Sequence, residues 1–244
     1  MKGIILAAGY ATRLYPLTEN MPKALLEVGG KPIINYILTE FETIPAIDEV
    51  IVISNHKFAT HFENWAKIQK TSLKLTVLDD GTTNDQNKLG AVGDISFIIE
   101  KLSIVDDIFV MAGDNIFTFS LKDYYDFYKK TDADCILVKE MEQEEDLIRM
   151  ANVKTNENGQ VTFMVEKPNP PVSRLAAFAS YIYKKDTVPL IKQYLDEGNN
   201  PDAPGFFPSW LYLRKPLFAY KFEGECYDIG THDSYKEVCE IFKK

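Results

Sequence analysis

The stretch MKGIILAAGYATRLYPLT, residues 1–18, decides the reading of the whole chain. Gly3–Ala7 is an unbroken apolar run of strand length, the pattern of a strand buried on both faces, as in parallel sheets. It passes at once into the small residues Ala7, Ala8 and Gly9, and then to Arg13. Open parallel sheets bind ligands in loops that leave the carboxyl ends of their strands, and small residues there let backbone N–H groups approach a phosphate or a base edge. Arg13 offers a fixed fork of donors for phosphate oxygens, and Lys23, which follows Pro22, offers a compact charge able to follow a moving phosphoryl group. Lys2, Arg13, Lys23 and Lys31 outnumber Glu19 and Glu27 over residues 1–31, inside a chain whose net charge is −9.

Working outward, strand-like and helix-like segments alternate as far as about residue 140, the pattern of βαβ units feeding a parallel sheet. Strands are expected at Gly3–Ala7, Glu49–Ser54, Leu73–Leu78, Ile108–Ala112 and Asp134–Val138. A helix is expected from Pro32 to Ile44, with proline in its first turn and Ile33, Ile34, Ile37, Leu38 and Phe41 on one face. Further helices are expected near Phe58–Gln69, Gly90–Leu102 and Ser120–Lys130. Beyond Lys139 the rhythm breaks. The acidic run Glu140–Asp146 reads as solvated surface, followed by short strands at Ala151–Lys154 and Val161–Val165 around the turn Asn156–Gly159. A proline-rich loop Glu166–Ser173, a strand Ala176–Tyr183, a helix Asp186–Glu197 and a Pro/Gly-rich loop Asn199–Pro208 come next. Short strands near Leu217–Phe222 and Glu225–Tyr227 precede a closing helix that Thr231 can cap.

The fold class is therefore α/β, with 244 residues suited to one domain carrying an elaborated second half. The apolar runs fall far short of the roughly 20 residues a membrane helix needs, and no signal-peptide arrangement opens the chain, so a cytoplasmic protein without a membrane partner is expected. Three cysteines, Cys135, Cys226 and Cys239, have no C-x-x-C spacing and suggest neither a disulfide framework nor a zinc site. An acidic chain is a poor match for nucleic acid, which needs a broad basic face. No hexapeptide repeat is found, so a second acyltransferase domain is not expected.

Chemistry is written at three further places. MAGDNIF, residues 111–117, ends an apolar strand by presenting Asp114, a hard oxygen ligand suited to Mg²⁺, with a turn cap together with Asn115 as the alternative reading of the motif alone. YDIGTHDS, residues 227–234, puts Asp228 at a second strand end, and two such acids could meet on one metal beside bound phosphates. VEKP, residues 165–168, sends Lys167 out on a proline-stiffened loop where it could neutralise a second phosphate. His56 and His61 have the wrong spacing for one helix face, His232 falls in the first turn of the last helix, and no histidine metal site or triad follows. A P-loop is absent, and a dinucleotide site lacks both its glycines and its ribose acid, since Ile53 is followed by Ser54, Asn55 and His56.

LAAGYATRLYPLT with PK, then GDNIF, EKP and DIGTH, in this order and over most of the chain, resemble the sugar-phosphate nucleotidyltransferase family, which includes glucose-1-phosphate thymidylyltransferase and guanylyl-, uridylyl- and cytidylyl-transferring relatives. The resemblance implies a Rossmann-like, mostly parallel sheet flanked by helices, with an added mixed sugar-phosphate-binding half. A single domain of residues 1–244 would then have a nucleotide-binding half, 1–140, and an acceptor-binding half, 141–244. The implied reaction couples a nucleoside triphosphate to a sugar 1-phosphate or similar small phosphate monoester, releases pyrophosphate and needs Mg²⁺. Leu6, Ala7, Ala8, Gly9, Arg13, Gly81, Leu89, Gly90 and Asp114 would hold the nucleotide, and Lys23, Asn115, Glu166, Lys167 and Ala179 the acceptor. Asp114 and Asp228 would hold the metal; Arg13, Lys23 and Lys167 would complete the catalytic set.

Two departures stand out. Where relatives often carry a glutamine and a short Pro/Gly loop after the third strand, this chain has LDDGTTNDQNKLGAVGD, residues 78–94, which leaves the base unnamed. Ala179 stands where a glycine is usual, and the sugar loop reads DAPGFFPSW, residues 202–210, which leaves a choline-phosphate or other small-alcohol acceptor open. Oligomeric state is not written in the sequence, and a homo-oligomer is compatible with it.

Overall fold

The computed structural model describes residues 1–243. In chain order its first elements are β1 (Lys2–Leu6), β2 (Glu27–Val28), β3 (Lys31–Pro32), α1 (Ile33–Phe41), β4 (Glu49–Ser54), α2 (Ala59–Ile68) and β5 (Lys74–Asp79). Next come α3 (Ala91–Leu102), β6 (Ile108–Ala112), β7 (Asn115–Phe117), α4 (Leu121–Thr131), β8 (Asp134–Glu140) and the single turn α5 (Glu144–Leu147). The remainder is β9 (Ala151–Thr155), β10 (Val161–Val165), β11 (Leu175–Tyr183), α6 (Val188–Asp196), α7 (Phe206–Leu211), β12 (Leu217–Lys221), β13 (Cys226–Asp228) and α8 (His232–Ile241). The architecture is α/β, a mostly parallel sheet flanked by helices, as the alternation implies.

The chain divides into two compact units. The first gathers residues 1–88, 111–122 and 224 onward; the second gathers 89–110 and 123–223. In the first unit β1, β4 and β5 run parallel, with Leu6 opposite Ile53 and Ser54 opposite Asp79, so their carboxyl ends finish level. β4 is buried along its whole length, which is why its sequence, EVIVIS, does not alternate. Phe41 of α1 lies over Gly3, where an added Cβ would come within 2.9 Å of its ring. Trp65 of α2 donates its indole N–H to Asn35 Oδ1 at 2.7 Å and so ties α2 to α1. Two small antiparallel ribbons complete this unit, β2 with β3 and β7 with β13.

In the second unit β11 pairs antiparallel with β8 and β9, β10 pairs antiparallel with β9, and β12 runs parallel to β8. These strands form a mixed sheet. Its core is aromatic: Tyr183, Tyr194 and Trp210 crowd around Phe207 edge-on or stacked. Gly90, with φ +80°, turns the chain into α3 at a place where a Cβ would meet the Pro201 carbonyl. There the carbonyls of Asp202 and Pro201 accept from the N–H groups of Ala91 and Val92, both at 2.9 Å. Those two otherwise orphaned N–H groups are thereby satisfied.

Element types follow the sequence reading closely, and three differences have simple causes. Phe206–Leu211, which begins inside the expected loop Asn199–Pro208, folds as a helical turn because Phe207, Pro208 and Leu211 share a buried face and Gly205 serves as its N-cap. β7 follows β6 after only Gly113 and Asp114, too short an interval for periodicity to separate the two strands. The β2–β3 ribbon has two residues a side, below what an alternation pattern can mark. The three cysteines form no disulfide among the described residues, and Cys135 is buried. No helix among the described residues is long and apolar enough to cross a membrane.

Candidate active site

Four charged side chains of the first unit, Arg13, Lys23, Asp114 and Asp228, are brought together by the apolar residues beside them. Leu14, Leu26, Val28, Ile33, Ile116, Ile229 and Val238 form one buried cluster. Leu14 follows Arg13, Ile116 lies two places after Asp114, Ile229 follows Asp228, and Leu26 lies three places after Lys23. Burying the apolar neighbours draws four charges from four segments to one surface, at roughly 1.5–3 kcal/mol per large side chain buried.

The first-strand loop is shaped by Ala11, a residue with left-handed backbone, φ +48° and ψ +40°. Its carbonyl accepts from Leu14 N at 2.9 Å and from the buried Thr18 hydroxyl at 2.8 Å, closing the turn that leaves Arg13 exposed. Non-glycine residues at positive φ are uncommon and are kept where the surroundings over-determine them. Asn55, fully buried after β4, donates to Ala8 O at 2.9 Å and accepts from Phe58 N at 3.1 Å, fixing the Ala7–Gly9 backbone. Gly9 is exposed, with nothing within 4 Å of where a Cβ would stand.

Asp114 follows Gly113, whose N–H donates to Leu6 O at 2.9 Å. A Cβ there would stand 2.9 Å from that same oxygen, so only glycine lets β1 and the end of β6 approach so closely. Asp228 lies opposite Asn115 in the β7–β13 ribbon, and Ile229 N donates to Asp114 O at 3.3 Å. Lys23 forms an ion pair with Asp114 Oδ2, their side chains 16% and 28% exposed. Around Gly230, a Cβ would have Asp228 Oδ2 at 3.4 Å and Arg13 Nη2 at 3.7 Å, so that glycine leaves room for the arginine beside the acid.

Lost hydration and then the charge of Asp114 hold the Asp228 carboxyl above the ordinary carboxylate range, against the pull of Lys23 and Arg13. The residue as a whole is nevertheless exposed. Two neighbouring carboxylates with no soft ligand fit Mg²⁺, which is held by one or two carboxylates and takes phosphate oxygens and waters for the rest. Among the described residues no three of His, Cys, Asp and Glu gather into a metal-binding group, so the two carboxylates have no third such ligand beside them.

The loop after β5 joins the same unit. Tyr10 Oη and Thr82 Oγ1 approach to 3.4 Å, and Gly81, with φ +77°, is open and exposed between them in sequence. Next to Gly81, Asp80 is buried, accepts from Thr82 N at 2.7 Å through Oδ1 and leaves Oδ2 without a hydrogen-bond partner. Leu89 and Gly90, the other expected nucleotide contacts, fall in the second unit at the start of α3.

Glu166, Lys167 and Ala179 also belong to the second unit. Asn152, fully buried in β9, accepts from Val172 N at 3.1 Å and so pins the Glu166–Ser173 loop. Lys167 N donates to Met150 O at 3.2 Å, its φ is +48°, and half of its side chain is exposed. Glu166 is the reverse: 7% of its side chain is exposed, and lost hydration raises its carboxyl, opposed only by Lys167, 3.9 Å away. Ala179 lies in the bulge of β11, where register with β8 slips between Phe178 and Tyr181.

The profile of one family, described as nucleotidyl transferase, matches residues 2–244. The chain belongs to the nucleotidyl transferase family. It is 27% identical over 249 residues, 95% of its length, to a glucose-1-phosphate adenylyltransferase of Fusobacterium nucleatum, and 30% identical over 96% of its length to one of Geobacillus stearothermophilus. It is 28% identical over 75% of its length to a UTP–glucose-1-phosphate uridylyltransferase of Haloferax volcanii, of which it covers 72%. It spans less than two thirds of the two adenylyltransferases, 64% of each. Among solved structures, a UDP-glucose pyrophosphorylase complexed with UDP-glucose shares the fold, with TM-score 0.83, 22% identity, and 99% and 97% of the two chains covered. Family membership and fold thus agree with the motif reading of the transferase.

Proposed function

We propose that this nucleotidyl transferase moves the nucleoside monophosphate of a nucleoside triphosphate onto a sugar 1-phosphate, or a similar small phosphate monoester, with release of pyrophosphate and formation of an NDP-sugar. The observation that carries the reading is the gathering of Asp114, Asp228, Arg13 and Lys23 on one surface of the first unit. In this reading residues 1–244 act as one domain, with 1–140 serving the nucleotide, 141–244 serving the acceptor, and Asp228 lent by the latter to the metal pair.

Each group then has a task that phosphoryl-transfer physics requires, since positioning and charge neutralisation carry most of such catalysis. Asp114 and Asp228 would hold Mg²⁺, which supplies neutralisation of the phosphate charge when bound. Arg13 binds triphosphate oxygens with its forked donors. Lys23 shares its charge between Asp114 and the reacting phosphates. The backbone of Leu6–Gly9, with Gly81, Leu89 and Gly90, receives base and ribose. Lys167 holds the phosphate of the acceptor, Asn115 and Ala179 line its approach, and Glu166, its side chain buried, awaits hydroxyl donors. No covalent nucleophile is needed, because the acceptor phosphate oxygen itself attacks the α-phosphorus. The acidic balance of −9 supports small-molecule substrates over nucleic acid, in an enzyme of the cytoplasm.

The test is a pyrophosphate-release screen of nucleoside triphosphates against sugar 1-phosphates, phosphocholine and inositol phosphates, with Mg²⁺ and with excess chelator. Release that depends on both substrates and stops in chelator is expected. No release from any pairing, or undiminished turnover in chelator, would overturn the respective half of the proposal.

A further inference from the structure

Gly205 opens α7 with φ −74°, an ordinary conformation that any residue adopts, so backbone freedom does not account for a glycine there. Space does. A Cβ at Gly205 would overlap Glu166 Oε2, stand 2.9 Å from Glu166 Cδ and lie 3.3 Å from Ala151 Cβ. What presses on Gly205 is a carboxylate with 7% of its side chain exposed, and among the described residues no hydrogen bond reaches it. Its charge is felt by the Tyr181 and Tyr194 hydroxyls, both pushed up first by burial and then by Glu166. Withdrawing an ionised carboxylate from water without donors is costly, and donors on a bound molecule would offset the cost.

We infer that Gly205 is a positioning residue of the acceptor site: its missing side chain admits the Glu166 carboxylate to its place, and through that carboxylate Gly205 sets the fit of the phosphorylated acceptor. This rests on the reading of Glu166 and Lys167 as acceptor contacts. A glycine kept only for packing would answer to Ala151 as much as to Glu166, and its replacement would cost stability without favouring one substrate over the other.

The experiment uses the full chain with Mg²⁺ and the acceptor, among glucose 1-phosphate, mannose 1-phosphate, galactose 1-phosphate and phosphocholine, from which the wild type releases pyrophosphate fastest. Gly205→Ala is expected to raise KM for that acceptor at least tenfold and to leave KM for the nucleoside triphosphate within twofold. Glu166→Ala removes the colliding group, so adding Gly205→Ala to it should move the acceptor KM by less than twofold. Where Gly205→Ala alone does not fold, recovery of folding in the double variant traces the collision to Glu166, and failure of the double variant to fold as well would overturn the role of Gly205. An unchanged acceptor KM in folded Gly205→Ala protein, an equal rise in both KM values, or a further tenfold rise in the double variant would each overturn the role of Gly205 while leaving the transferase reading intact. Absence of pyrophosphate from every wild-type pairing would remove the transferase reading and this inference with it.

Discussion

Asp228 stands in register with Asn115 across the β7–β13 ribbon, which sets one acid at the end of β13 beside another, Asp114, immediately before β7. The ribbon therefore does for the acids what a parallel sheet does for its loops: it brings residues remote in sequence to one edge.

If both acids serve one Mg²⁺, Asp114→Asn and Asp228→Asn should each lower kcat by on the order of a thousandfold, several kcal/mol at 1.36 kcal/mol per factor of ten. The double variant should be little slower than the worse single one, because both acids hold one ion. Steady-state kinetics with a melting curve for each protein checks this. Near-normal kcat in folded Asp228→Asn would end the shared-metal model.

Arg13 lies exposed beside Asp228 and has no apolar work to do, so Arg13→Ala should leave the melting temperature nearly unchanged while weakening triphosphate binding. Loss of a charge-assisted fork worth about 1.5–3 kcal/mol corresponds to roughly a ten- to hundredfold rise in the dissociation constant. Calorimetric titration with each nucleoside triphosphate measures it, and an unchanged constant would move the triphosphate elsewhere.

Lys167 is half exposed on a pinned loop, so its removal should act on one substrate. Lys167→Ala should raise KM for the phosphorylated acceptor by roughly ten- to a hundredfold, on the same scale for a charge-assisted contact, and KM for the nucleotide hardly at all. Equal effects on both would remove it from the acceptor site.

Asp134 gives a pH-dependent stability. Its buried carboxyl accepts from Lys184 N and the Thr187 hydroxyl, both at 2.7 Å, with Lys215 at 3.6 Å, yet lost hydration still raises it above its ordinary value. The folded chain thus binds this proton more tightly than the unfolded chain, and the contribution of Asp134 to stability falls as pH rises from the ordinary carboxylate value of about 3.9 through the raised one. Denaturant midpoints of wild type and Asp134→Asn across that range should differ by this slope, the other carboxyls contributing equally to both proteins. An identical pH profile in the two proteins would refute it.

Thr231 caps α8, accepting from Ser234 N at 3.1 Å, with the Ser234 hydroxyl returning to accept from Thr231 N at 3.0 Å. Thr231→Ala should cost about 1 kcal/mol of stability. Thermal unfolding reports it; a loss below a few tenths would mean the cap is idle.

Most of the framework is legible from apolar runs and helix faces: Glu49–Ser54 and Ile108–Ala112 are bounded in the structure as the sequence bounds them, because fully buried strands leave no ambiguity of face. The site is legible only as motifs. Nothing in the spacing of Arg13, Lys23, Asp114 and Asp228 says that they meet; that is settled by Leu14, Ile116 and Ile229 sharing a cluster, a long-range fact. Asp80 and Gly205 escape the sequence for another reason. A buried oxygen without a partner and a glycine chosen for space at ordinary φ leave no periodic trace, although the DDG at residues 79–81 marks a turn.

The late return of β13 to β7 also orders events in time. A nascent chain that has emerged through Tyr183 already holds Arg13, Lys23, Asp114 and Lys167, but not Asp228. Domains fold as they are synthesised, from the amino-terminal side first, so Asp114 is made more than a hundred residues before Asp228, its neighbour in the closed ribbon. Under the shared-metal reading, any product cut short before Asp228 would keep Asp114 and Arg13 while lacking the second acid of the pair.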